Sequence, residues 1–269
     1  MPHHPFKKVD SFCVPHLIRD IEKFSGRNTS MGALVEESTR VFSAIAAGES
    51  LTQVKQRCIA GDLLSQRTER SRRRIWASLT HRYFEHEVQW AIHEIADSVL
   101  ADQAAFIDLI YLHYALRDRI VFELVTGVLY PRRKTAEAEV TKPDIRNLLD
   151  LASTDQPQIA KWTETTRAKL ANSTLTALRD FGILNGKVRK FLAPRQVSNK
   201  AVEHLLHILV AEGQKGKNII DDVSWRLFFL TEHDVAAKLA ILAQQGKIRF
   251  ERAGSTVVLE TPSEWEAAA

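Results

Sequence analysis

Apolar positions recur at helical spacing along most of the chain. Val88, Ala91, Ile92, Ile95 and Val99 mark the buried stripe of an amphipathic helix. Ser50-Leu51-Thr52-Gln53 has the spacing of a capping box and Gly61 can close the same helix, which predicts a helix over 51–60. The next helix is expected from about Ser65 to Tyr83. Asp102 can cap a more uniformly apolar helix running through Leu116, the kind that sits in the middle of a bundle. A further helix should end at Tyr130, because the residue before Pro131 disfavours the helical region.

Residues 131–158 look like a linker with one short helix, which starts at Pro143 ahead of Leu148, Leu149 and Leu151. A soft boundary falls here. It divides the chain into an N-terminal extension (1–27), a helical domain with a helix-turn-helix (28–135), a linker (136–158) and a winged-helix-like part (159–260). In that last part a helix over Thr163–Asp180 puts Leu170, Ala177, Leu178 and Phe181 on one side. Lys187 to Leu192 follows as a short strand or wing. A helix from Asn199 to Glu212 turns Val202, Leu205, Leu206 and Leu209 inward. Thr231 caps another helix with Val235, Leu239 and Leu242, closed by Gly246. Alternating residues on both sides of Ala253-Gly254-Ser255 form the best hairpin signal in the chain. The expected class is therefore mostly α: a helical bundle with helix-turn-helix units and a C-terminal winged-helix-like part carrying a small β-hairpin.

The length of 269 residues allows one large domain or two small ones. Two cysteines, Cys13 and Cys58, cannot build a disulfide framework or a four-cysteine zinc site, and they favour a reducing, cytoplasmic setting. The most hydrophobic stretch, Phe106 to Tyr130, is interrupted by Asp108, His113, Arg117, Asp118, Arg119 and Glu123, so no membrane span is expected. The first residues have no hydrophobic core behind them, so they do not read as a signal peptide.

Charge changes the picture more than composition does. The net charge is only +4, but residues 55–74 hold seven cations against two anions, and residues 161–200 hold nine against two. Residues 75–130, in between, hold three against eight. Clustered charge speaks of partners rather than of fold. Both basic windows fall on predicted helix-turn-helix units, a motif that offers its second helix to DNA. In the first, helix 51–60, the turn Gly61-Asp62-Leu63-Leu64 and a following helix carry Arg67, Arg70 and Arg74 on one face, widened by Arg72 and Arg73. Arginine suits phosphate because its planar fork donates two parallel charge-assisted hydrogen bonds. In the second, Asn172, Ser173 and Thr176 are short hydrogen-bonding side chains, bordered by Lys169 and Arg179. Lys187, Arg189 and Lys190 sit on the wing. A solvated helix face would show the same charges. The third unit, 217–260, offers Glu232, His233 and Asp234 where DNA would want cations, and reads as a structural or partner-binding copy.

Catalytic signals are poor. There is no Gly-x-x-x-x-Gly-Lys-Ser/Thr, no Gly-x-Gly-x-x-Gly and no His-Glu-x-x-His. His204 and His207 share a helix face, but no further ligand completes a metal site, so they read as packing or surface residues. Trp225, Phe228 and Phe229 read as core anchors. No cofactor, metal or catalytic residue is expected.

Four short segments resemble the BrxA family of the bacteriophage exclusion (BREX) phage-defence systems. They are Ser30 to Ser38, Gly61 to Thr68 leading into the arginine-rich helix, Arg179 to Leu184, and Trp225 to Leu230. The resemblance spans roughly residues 28–260. It implies a mostly helical cytoplasmic protein with helix-turn-helix elements that binds double-stranded DNA with little sequence preference, alongside a methyltransferase and other BREX proteins. Family members have been described as inner-membrane proteins, which the hydropathy opposes here. The resemblance supplies no catalytic residue. The expectation is thus a non-enzymatic DNA-binding accessory protein that makes no use of a membrane. A protein scaffold or an RNA-binding helical module is the alternative. The oligomeric state is left open, with a monomer favoured.

Overall fold

The computed structural model describes residues 18–19, 21, 24–86, 88–135, 138–254 and 256–266. Cys13 and most of the 1–27 extension therefore lie outside the described residues, as does Ser255 of the expected hairpin turn. The first half of the chain is built from α1 (Val35–Ala46), α2 (Leu51–Ala60), α3 (Glu69–Leu79), α4 (Gln89–Ala101), α5 (Gln103–Leu116) and α6 (Arg119–Glu123). Next come α7 (Lys142–Ser153), α8 (Pro157–Ala160), α9 (Glu164–Asp180), β1 (Leu184–Asn185), β2 (Phe191–Leu192) and α10 (Asn199–Ala211). The chain continues through α11 (Lys217–Asp221), α12 (Glu232–Gln244), β3 (Arg249–Ala253), β4 (Thr256–Glu260) and α13 (Ser263–Glu266). The fold is mostly α, with two small antiparallel hairpins, β1–β2 and β3–β4. Among the described residues no helix is long and apolar enough to cross a membrane.

Local sequence chemistry accounts for most of the boundaries. The Ser50–Gln53 capping box opens α2 and Gly61, at φ 106°, closes it. Asp102 Oδ1 accepts hydrogen bonds from the backbone N–H groups of Ala104 and Ala105 and so starts α5. This helix is apolar all round, and it takes the centre of the bundle, against α1, α4, α6 and α10. Phe42 of α1 fills the adjacent space, edge-on to Tyr83 and Phe106 at 5.3 and 6.0 Å between centroids.

Three boundaries differ from expectation. The helix expected from Ser65 begins at Glu69, because Leu63 and Leu64 dip into the core and Thr68 supplies the N-cap. The four-residue turn is thus an eight-residue loop, 61–68. Residues 80–84 leave α-helical geometry for a π-helical turn, Thr80–Phe84, in which Arg82 is buried. There Arg82 donates to Ala33 O and Gly32 O, both at 2.8 Å, and lies over the Tyr114 ring. Finally, the chain does not stop at Tyr130 but tightens into a 3-10 turn, Tyr130–Lys134.

The segment expected as a linker carries more structure than its prolines suggest. α7 is twelve residues long, with Pro143 in its first turn and Ile145, Leu148 and Leu149 buried against its neighbours. Only Leu151, expected on the same stripe, points to solvent. Ile18 and Arg19, in the expected N-terminal extension, are also drawn in. Ile18 is buried, and Arg19 reaches across the molecule to the carboxylates of Glu212 and Asp222, with Arg19 Nε 2.5 Å from Glu212.

Candidate nucleic-acid interface

The first basic window sits at the start of α3. Thr68 Oγ1 accepts from Ser71 N at 3.2 Å and Thr68 O from Arg72 N at 3.1 Å, while the N–H groups of Glu69 and Arg70, in the first turn, have no carbonyl within the helix to bond. The five arginines do three different things. Arg72 turns back across Gly61 and donates to the carbonyls of Ile59 and Gln66, both at 2.8 Å, and to that of Arg67 at 3.3 Å. It holds the 61–68 loop together, so it is not presented to a ligand as expected. Arg73 pairs with Glu69 one turn back, at 2.7 Å. Arg67 and Arg70 are exposed, and their guanidinium groups meet no carboxylate among the described residues. Arg74, one turn beyond Arg70, is exposed as well. Arg67 precedes the helix, so only Arg70 and Arg74 share a helical face.

The second window is α9 and the hairpin after it. Thr163 caps α9, and Leu170, Ala171, Thr174, Leu175, Ala177 and Leu178 face the core. Lys169 and Asn172 are exposed, in line with Thr165 one turn earlier, which sequence reasoning had passed over. Two of the expected ligands are engaged elsewhere. Ser173 Oγ donates to Met31 O at 2.8 Å, so its side of α9 is covered by the N-terminal segment. Arg179 pairs with its neighbour Asp180 at 2.6 Å. Thr176 is half-buried.

The hairpin pairs Leu184 with Leu192 and Asn185 with Phe191, and residues 138–140 add a third antiparallel run through Val140 N to Lys190 O and Leu192 N to Ala138 O. Lys187 stands exposed at the loop. Lys190 Nζ donates to Lys187 O at 3.1 Å. Arg189 forks onto Glu139 at 3.0 and 2.8 Å, which holds the Glu139 carboxyl below its usual range. Glu139 lies some fifty positions away in sequence, in a segment read as linker, so its neutralising role was invisible locally. The Pro131-Arg132-Arg133-Lys134 run was the one available signal for further basic residues there. Arg133 stacks on Tyr130 and Arg132 pairs with Asp144.

Residues 27–33 tie the two windows together. This segment receives Ser173 from α9 and Arg82 from the turn after α3. The third unit differs in charge. Arg252 meets Glu232 at 2.5 Å, and Arg249 meets Glu251 and Glu260, both at 3.1 Å. Its hairpin cations are balanced within the unit.

His204 and His207 line a buried cluster. His204 Nδ1 donates to Glu94 Oε2 at 2.5 Å and His207 Nδ1 to Glu94 Oε1 at 3.2 Å. Burial alone would raise the Glu94 carboxyl, but these two hydrogen bonds, with the nearby His204 and Lys200 charges, together outweigh it and hold the pKa far below normal. His204 Nε2 and His113 Nε2 lie 2.9 Å apart, so the two rings share a hydrogen bond and extend the cluster into α5. Trp90 and Trp265 stack on the two faces of His207. Among the described residues no cluster of three or more His, Cys, Asp or Glu side chains is arranged to hold a metal.

Burial, helped by His204 and Arg117, holds His113 well below the ordinary histidine pKa. The unfolded chain takes up that proton below about pH 6.5 while the folded chain does not, so stability falls as pH drops through that value. The melting temperature should decline below about pH 6.5, and His113→Gln should make the decline shallower. His81, also held low by burial, keeps it from vanishing. Equal slopes in the two proteins would show that His113 is not a responsible group.

One solved structure of similar fold, a crystal structure of an uncharacterized protein from Magnetospirillum magneticum, matches with a TM-score of 0.57 at 14% identity, over 76% of this chain and 97% of that one. No curated protein matches the sequence. A family model described as BrxA matches residues 22–208, more than half of the chain.

Proposed function

Since the chain belongs to the BrxA family of the bacteriophage exclusion (BREX) phage-defence systems, we propose that it serves there as a double-stranded DNA-binding accessory protein, in the cytoplasm and beside the other BREX proteins. It performs no catalysis of its own and uses no cofactor. The observation that carries this reading is the pair of exposed guanidinium groups, Arg67 and Arg70, at the N-terminal end of α3. A cation there opposes the positive pole of the helix, at a cost of about 0.3–1 kcal/mol. A phosphate reverses the sign, because it can meet both the arginines and the N–H groups of the first turn that lack intrahelical partners. Arg74 extends the same contact.

Lys169 and Asn172 on α9, with Lys187 and Lys190 after it, form the second set. The order of elements there is the 138–140 run, α7, the one-turn α8, α9 and the β1–β2 hairpin, which is close to that of a winged helix-turn-helix. Contacts aimed at phosphates position a protein without reading bases, which accounts for little sequence preference.

Gel-shift titrations over a range of salt test the reading. Arg67→Gln with Arg70→Gln should weaken duplex binding and make the salt dependence shallower by about two in log–log slope. An unchanged affinity and slope would remove this face from the site. Preference for RNA over duplex DNA would turn the reading to an RNA-binding module. No binding of either at physiological salt would leave a scaffold among BREX proteins.

A further inference from the structure

The 186–190 loop between β1 and β2 carries an unusual side chain. Val188 is 95% exposed, the most exposed large apolar side chain among the described residues. Leu100, Leu151, Ile241 and Val258 are also exposed, but none has a cation beside it in the chain. Val188 stands between Lys187 and Arg189, with Lys190 next, and the loop holds no acid. An isolated apolar residue on a surface needs no explanation. An apolar tip ringed by cations on a loop held in shape does.

The loop is held on three sides. Gly186 takes φ +86°, and a Cβ there would lie 2.0 Å from Arg189 O, so the turn closes tightly only around glycine. The β1–β2 pairs and the 138–140 run fix its base. Arg189 is clamped to Glu139 and lies over the Phe191 ring at 5.3 Å. Val188 therefore projects from a rigid frame.

We infer that this loop enters the minor groove of a DNA duplex, with Val188 against the sugar walls and floor, and Lys187 and Lys190 reaching phosphates on its two sides. The inference rests on the DNA-binding reading and adds the groove and the contact. The argument is one of size and charge. The minor groove is about 6 Å wide, too narrow for a helix but wide enough for the tip of a hairpin, whereas the major groove, about 12 Å wide, suits a helix such as α9. Apolar wedges flanked by cations are how minor-groove proteins meet that surface. The groove's base pattern is nearly degenerate, so such a contact distinguishes A·T-rich from G·C-rich duplexes and little else. Narrow A·T tracts also concentrate negative potential, which favours Lys187 and Lys190 there.

Fluorescence anisotropy of the full chain on labelled A·T-rich and G·C-rich duplexes of about two helical turns provides the test. The wild type should prefer the A·T-rich duplex, and netropsin, a minor-groove ligand, should displace it. Val188→Asp should weaken binding about tenfold or more and abolish the A·T preference, while Val188→Leu retains both. The position is solvent-exposed, so folding, checked by circular dichroism, should not change. If the wild type binds duplexes but netropsin does not compete and Val188→Asp binds equally well, the wing inference falls and the DNA-binding reading stands. If the wild type binds no duplex, both fall. Co-sedimentation with vesicles of equal parts phosphatidylserine and phosphatidylcholine, lost in Val188→Asp while duplex binding is unchanged, would overturn the inference in favour of a lipid surface.

Discussion

Asp108→Ala is expected to cost about 3–5 kcal/mol of stability, the loss typical when one partner of a buried ion pair is removed. Asp108, on the central helix α5, is 4% exposed. Its Oδ1 accepts from Arg195, and its Oδ2 accepts from Ser198 N at 2.7 Å, at the start of α10. Arg195 also donates to Phe181 O at 2.7 Å, just past the end of α9, and lies over the Tyr111 ring. Burial lowers the Arg195 pKa to about 10, a sign of how little water reaches it. Without the carboxylate, that guanidinium keeps its charge and loses its counter-ion. The pair joins α5 to the end of α9 and to the segment between β2 and α10, so the damage would fall on the scaffold beneath the second basic window. Urea denaturation followed by circular dichroism gives the number. A loss below about 1 kcal/mol would mean that water or a rearranged neighbour replaces Asp108.

Trp225→Ala should be comparably severe, at about 3–5 kcal/mol. Trp225 is 1% exposed in the core, on a 3-10 turn packed against α5, and its Nε1 donates to Ile219 O of α11 at 2.6 Å. Alanine leaves a cavity and also strips the indole from Ile219 O, which keeps only the longer hydrogen bond from Asp222 N at 3.4 Å. Trp225→Phe separates the two effects. It keeps most of the packing and loses the hydrogen bond, so about 1–3 kcal/mol should be lost. The same denaturation experiment reads both variants. Equal losses for alanine and phenylalanine would assign the whole effect to the hydrogen bond.

Trp225 and Phe228 are core residues, as the apolar pattern around them implied. Phe229 is not fully buried. It adopts φ 60° to end the 3-10 turn Val223–Phe228, a conformation that pattern reading does not anticipate for a phenylalanine. The basic windows show a similar division. Arg67, Arg70, Lys169, Asn172 and Lys187 are exposed as their placement on polar faces suggested. Arg72, Ser173 and Arg189 lie on the same stretches yet are engaged by Ile59 O, Met31 O and Glu139.

The amino-acid sequence by itself determined the local units of this protein. Capping residues and glycines set the limits of α2, α5, α9, α10 and α12, and alternation around Gly254 set the β3–β4 hairpin. These are interactions within one or two turns of chain, so their signals lie close together in the sequence. Only the tertiary structure decided which charges remain available. Arg19 finds Glu212, Asp108 finds Arg195 and Arg189 finds Glu139 across dozens of residues or more. The reason is that a salt bridge depends on distance in space, and no periodicity along the chain encodes which distant carboxylate will arrive beside a given cation.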